Sequence, residues 1–138
     1  VYGWKKGAGM LYNLALDRFH EMGAAPGEVH QESSAIDPDT FFDNLIGVTK
    51  NINDKAHTIR FWAAPEQVPY IETKPLHKSQ FVVQRDEDGS AIFQMEVVLN
   101  YELEKDLLGF GEGIKVLSPK CLVNNMSRRL RKASQYYE

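Results

Sequence analysis

The 138-residue sequence predicts an α+β fold. Short runs with period-two alternation of apolar residues recur between turns rich in Gly, Pro and Asp. Other segments repeat their apolar residues at i, i+4 and i+7, and the two kinds interleave along the chain.

Taken in order, residues 1–4 read as the truncated first strand of a β-hairpin that turns at Lys5, Lys6 and Gly7. Its partner is "LYNLALDRF", where Tyr12, Leu14 and Leu16 alternate with Asn13, Ala15 and Asp17. The Gly, Pro, Ser and acid content of residues 21–40 predicts an irregular connection. Asp37 and Pro38 then form an N-cap and first-turn pair for a short helix with Phe41, Phe42 and Leu45 on its apolar face. "KNINDK" is a polar linker, and the domain boundary is placed there, giving domains of residues 1–50 and 51–138.

"HTIRFWA" puts His57, Ile59 and Phe61 on one strand face and Thr58, Arg60 and Trp62 on the other. Pro65 suits a helix start, whereas Pro69 removes a later donor, so the helix over "APEQVPYIETK" is expected to be short. "SQFVVQR", "DEDG" and "SAIFQMEVVLN" make a hairpin in which Gly89 supplies a positive φ. Its second strand sets Phe93, Met95, Val97 and Leu99 against Ile92, Gln94, Glu96 and Val98. Asn100 caps a helix with Leu103, Leu107 and Phe110 as its buried stripe, and Glu102 and Glu104 suit the helix dipole there. "GIKVL" is a last strand. Ser118 and Pro119 open a final helix with Leu122, Met126, Leu130, Ala133 and Tyr137 as its apolar face. From His57 onward the order is βαββαβ plus a C-terminal helix, the ferredoxin-like arrangement.

Composition narrows the function classes. With 43% hydrophobic and 25% charged residues, the chain is of the globular class, and no apolar run reaches the ~20 residues of a membrane span. Without a signal-peptide pattern and with Cys121 alone, a cytoplasmic location is expected, and neither an intrachain disulfide nor a thiolate zinc site can form. The net charge of −3 hides a segregation: Lys120, Arg128, Arg129, Arg131 and Lys132 lie in a stretch without acids, while Glu28, Glu32, Asp37, Asp39 and Asp43 lie in one without Lys or Arg. The chain begins at Val1 without an initiator Met, and is expected to be part of a longer protein.

The glycines of "LLGFGEGIKVLSPK" suggest a phosphate loop, but such a loop follows a strand and opens a helix. Here a helix precedes and a strand follows, so Gly111 is expected to end the helix in the left-handed conformation, with Gly109 inside the last turn. Gly-Phe-Gly is also part of the signature of RNA-binding ferredoxin-like sheets. Those place aromatics on a central strand, whereas here the available face offers Gln94, Glu96 and Val98. His20, His30, His57 and His77 lack metal-site spacing and read as surface or turn residues. Cys121, in the first turn of the last helix, reads as a small half-buried residue. Arg128, Arg131 and Lys132 are candidate ligand-binding residues for phosphates, although a solvated helix face whose cations stabilise the helix dipole is the preferred reading of the cluster. Arg18, beside Asp17 at the end of its strand, would either bind an anion or pair with a carboxylate.

These segments resemble the C-terminal part of WYL-domain transcriptional regulators, bacterial proteins with an N-terminal helix-turn-helix, a WYL sensor domain and a C-terminal extension called WCX. "LYNLALDRF" is similar to the strand with the Leu-Asp-Arg signature that closes the WYL domain, and "DPDTFFDNLIGVTK" to the segment after it. "IRFWAAPEQVPYIETKPLHKSQ" and "NYELEKDLLGFGEGIKVLSPKCL" resemble the two helix-bearing parts of the extension. The Trp-Tyr-Leu tripeptide itself is not in this sequence. The resemblance implies a non-enzymatic fragment without cofactors, a homodimer, DNA binding through an N-terminal domain outside this sequence, and a single-stranded nucleic acid or nucleotide as effector. It also implies that Arg18 belongs to a basic, ligand-facing surface. Two alternatives stand beside it: an oligomerisation module without a ligand, and a small enzyme of the acylphosphatase type, for which the loop after "HTIRFWA" lacks the arginine and asparagine nest.

Overall fold

The computed structural model describes residues 1–5, 11–29 and 36–138. The Lys6–Gly7 part of the expected turn and His30 lie outside the described residues. The chain divides into two compact units, residues 1–43 with 51–53, and residues 44–50 with 54–138.

In the first unit, β1 (Tyr2–Trp4) pairs antiparallel with β2 (Leu11–Asn13), joining Tyr2 to Asn13 and Gly3 to Tyr12. The expected long second strand stops at Asn13. Leu14 still exchanges two bonds with Val1, its N–H donating at 2.6 Å and its carbonyl accepting at 3.0 Å, and Leu16–Arg18 then wind into a single 3-10 turn, with Arg18 N–H donating to the Ala15 carbonyl at 3.1 Å. Alternation continues in the sequence, but the ladder pairs only Tyr2–Trp4 with Leu11–Asn13, and Leu16 is exposed. The helix expected after Asp37 is also only a succession of turns. Asp37 does cap, accepting from Asp39 N–H and Thr40 Oγ1 at 3.0 Å each, and its carbonyl accepts from Phe41 N–H at 2.9 Å. The helical pattern ends within a turn, and the aromatic rings of Tyr2, Phe41 and Phe42 meet edge to face at 5.0 to 5.8 Å.

The second unit is a four-stranded antiparallel sheet of β3 (Ala56–Ala63), β4 (Phe81–Arg85), β5 (Ala91–Val98) and β6 (Ile114–Ser118) in the order β4-β5-β3-β6. With α1 (Val68–Thr73) between β3 and β4 and α2 (Tyr101–Leu108) between β5 and β6, this is the expected ferredoxin-like topology, followed by α3 (Lys120–Ser134). The three helices cover one face: Ile71, Leu103, Leu107 and Leu122 bury against Ile59, Phe61, Phe93, Met95 and Val97. Phe61 and Phe93 are register partners and stack at 5.4 Å, a cross-strand pair at the centre of the core. Among the described residues no helix covers the other face, which shows Thr58, Arg60, Glu96 and Phe81. Val98 departs from the expected alternation and is buried, its N–H donating to the Asn44 carbonyl at 2.8 Å.

Pro69 falls in the first turn of α1, where no intrahelical donor is lost, and the helix is six residues long. The "PLHKSQ" segment ties its end to the sheet: Gln80 Nε2 donates to the Ile71 carbonyl at 3.1 Å, and the Ser79 hydroxyl accepts from Glu96 N–H at 2.9 Å. Gly89 has φ +89°, as its turn requires. α2 ends at Leu108, two residues earlier than the stripe to Phe110 suggests, with Gly109 in right-handed conformation and Gly111 at φ +55°. Gly113 is confined too, since a Cβ there would meet Gln67 Cγ at 2.7 Å. The N-cap of α3 is Pro119, not Ser118, which closes β6. The apolar stripe of α3 is buried only at Leu122 and Met126: Leu130 is 46% exposed and Tyr137, 92% exposed, lies beyond the helix.

Candidate functional site

The N-terminus of α2 is a clamp on the preceding 44–50 segment. The Asn100 carbonyl oxygen Oδ1 accepts from Leu103 N–H at 2.8 Å, the expected cap, while its amide Nδ2 donates to the carbonyls of Ile46 at 2.8 Å and Thr49 at 3.0 Å. Two residues on, Glu102 Oε1 accepts from the Thr49 hydroxyl at 2.7 Å and from Val48 N–H at 3.3 Å. Burial raises the Glu102 carboxyl, but these bonds to its charged form outweigh it and hold the group below the usual glutamate value. Gly47, at φ +77°, lets the loop close over this side chain, since a Cβ there would stand 2.4 Å from Glu102 Cγ. The clamp fixes the 44–50 segment against the N-terminus of α2. Nothing in the local sequence pattern links Asn100 or Glu102 to residues fifty positions earlier.

The cationic residues of α3 separate into two groups. Arg129 is committed: its Nη1 donates to Glu104 Oε2 at 2.7 Å, and its guanidinium lies 5.4 Å from the centre of the Tyr101 ring. Arg128, Arg131 and Lys132 are exposed, make no ion pair among the described residues, and share a shallow groove of about 570 Å³ with Asn124, Ser127 and Gln135. No carboxylate lines that groove. The structure therefore brings three of the four candidate ligand residues together on one helix face.

Arg18 belongs to the other unit. It is exposed in its 3-10 turn, not at a strand end, and lines a hollow of about 260 Å³ with Asn13, Leu14, Ala15 and Phe19. No ion pair to it occurs among the described residues.

The remaining sequence candidates are dispersed. His20 and His57 are exposed, whereas His77 is buried in the "PLHKSQ" turn, where Nδ1 accepts from Ser79 N–H at 3.1 Å. Cys121 is exposed at the start of α3, contrary to its half-buried reading, because the residue beside it, Leu122, takes the inward position. No group of three or more His, Cys, Asp or Glu side chains is placed to hold a metal among the described residues. No helix of the described residues is long and apolar enough to cross a membrane.

Among curated proteins none matches this chain. The family model of the WCX domain matches residues 55–134, which is more than half of the sequence and spans every element from β3 to α3. This chain therefore belongs to the WCX domain family.

Proposed function

We propose that the chain is the C-terminal, non-enzymatic part of a cytoplasmic bacterial helix-turn-helix and WYL transcription regulator, and that it contributes to sensing a nucleic-acid-type ligand. The observation that carries the reading is the acid-free groove of α3, where Arg128, Arg131 and Lys132 stand without ion-pair partners among the described residues. Helical spacing sets these cations along one face, as successive phosphates require, and Asn124, Ser127 and Gln135 add neutral hydrogen-bonding groups. Family membership and the resemblance of "LYNLALDRF" to the end of a WYL domain support the regulator context.

Fluorescence anisotropy with a labelled single-stranded oligonucleotide tests it. Arg128→Ala, Arg131→Ala and Lys132→Ala are each expected to weaken binding, and to lower the slope of log K against log salt by about 0.7 for each phosphate contact removed. Arg18→Ala, assayed in the same way, tests the part assigned to the WYL-like segment. Affinities unchanged in all four variants would refute the reading.

Dimerisation through this chain is part of the same proposal. It is favoured by the helix-free sheet face, where Phe81 is 54% exposed. Sedimentation equilibrium is expected to show a dimer that Phe81→Glu weakens, and a monomer at high concentration would count against it.

A further inference from the structure

A second groove lies between α3 and β6, which is an edge strand of the sheet. It has a volume of about 300 Å³, at the lower end of the range for small-molecule pockets. Its wall is apolar: Ile114 and Val116 from β6, and Val123, Met126 and Leu130 from α3. Residues 123, 126, 127, 130 and 131 recur at helical spacing, so one face of α3 supplies the apolar wall, the Ser127 hydroxyl and the guanidinium-bearing Arg131. Arg131 and Ser127 also line the acid-free cationic groove beside it, so the apolar hollow opens directly onto positive charge. No carboxylate lines either hollow. The comparable hollow beside α1 is different, since Asp106 stands among its lining side chains with Lys74 and Lys105.

The half-exposure of Leu130 has the same origin. A leucine in register with the buried Leu122 and Met126 would be expected to reach the core, but it lies where the groove leaves its side chain uncovered. Apolar surface next to an unpaired guanidinium suits a ligand with an apolar tail and a negative head. The tail gains from leaving water, and the head gains a charge-assisted hydrogen bond.

We propose that the groove between β6 and α3 binds a small amphipathic anion, its tail against Val116, Val123, Met126 and Leu130 and its carboxylate head on Arg131. This goes beyond the nucleic-acid reading and does not depend on it, because the apolar wall has no part in phosphate binding.

Octanoate is the probe, titrated into the full chain below its aggregation range and followed by calorimetry and by NMR shifts of α3 and β6. Octyltrimethylammonium, with the same tail and the opposite charge, is the control, and butanoate tests the tail. Octanoate is expected to bind at least tenfold tighter than either. Leu130→Asp, at a position that is 46% exposed, should weaken it at least tenfold, and Arg131→Gln about fivefold. Equal affinity for the two head groups, or no effect of Arg131→Gln, would overturn the proposal. So would a dimer that Leu130→Asp dissociates while octanoate leaves it intact, because a second copy would then be the occupant. Loss of oligonucleotide binding in Arg128→Ala and Lys132→Ala with octanoate affinity unchanged would separate the two sites and support the proposal.

Discussion

Replacing Asn100 by Ala removes three hydrogen bonds from one half-buried side chain. The first is the cap on Leu103 N–H, whose loss costs about 1 kcal/mol. The other two join the amide to the carbonyls of Ile46 and Thr49, and are worth about 1 kcal/mol each. Because one side chain makes all three, the sum is an upper bound, and Asn100→Ala should cost about 2–3 kcal/mol. For a domain of this size that corresponds to a fall in Tm of roughly 10–20 °C. Asn100→Ser separates the parts, since serine retains a capping oxygen but has no amide to reach the loop, and it should cost about 1–2 kcal/mol. Urea unfolding followed by circular dichroism measures both, with m expected to stay constant. A cost below about 0.5 kcal/mol for Asn100→Ala, or a serine variant as unstable as the alanine variant, would refute the clamp.

Further outcomes follow from the same unit. Gly47→Ala should destabilise by about 1–3 kcal/mol, since it combines a left-handed φ with a Cβ driven into the Glu102 side chain; an unchanged urea midpoint would contradict this. Glu102 has a lowered folded pKa, so its contribution is complete above the unfolded value and is lost as pH falls through the folded one. Glu102→Gln should accordingly flatten the acid limb of the stability profile, and an identical limb would refute it. Arg129→Ala should lose about 1 kcal/mol through the Glu104 pair, as read by a double-mutant cycle with Glu104→Ala, and should leave oligonucleotide affinity unchanged. Leu122→Ala should cost about 2–5 kcal/mol and Leu130→Ala less than about 1 kcal/mol, a contrast that equal costs would overturn.

What could be read from the sequence was whatever depends on near neighbours along the chain. Alternation in "HTIRFWA" and "SAIFQMEVV" gave the correct inward faces for Ile59, Phe61, Phe93, Met95 and Val97, because both strands bury one side against helices, but it failed at the strand ends, where His57 is exposed and Val98 is buried. Gly89, the left-handed φ of Gly111 and the Asn100 cap were legible for the same reason, as each answers a backbone need set within four residues, although Gly111 stands beyond the helix end and does not close it. The misreadings arose where a pattern continued but its partner did not. "LYNLALDRF" keeps alternating past Asn13, yet a strand needs a ladder, and only residues 2–4 of β1 pair with it. The stripe of α3 runs on past Met126, yet a helix buries only as far as the element beneath it extends.

That last mismatch bears on function. A stripe longer than its support leaves Leu130 uncovered at the point where Arg131 begins the cationic face, so apolar surface and unpaired charge coincide on one turn of helix. Arg129 shows that α3 could have neutralised its cations, since Glu104 on α2 is placed to pair with it. Arg128, Arg131 and Lys132 meet no carboxylate among the described residues. Stability alone does not require three adjacent cations to remain unpaired, as dipole compensation at a helix end is worth only about 0.3–1 kcal/mol. An external anion would complete the arrangement, and whether its binding depends on the apolar wall, on the cations alone or on both is what the octanoate and oligonucleotide titrations distinguish.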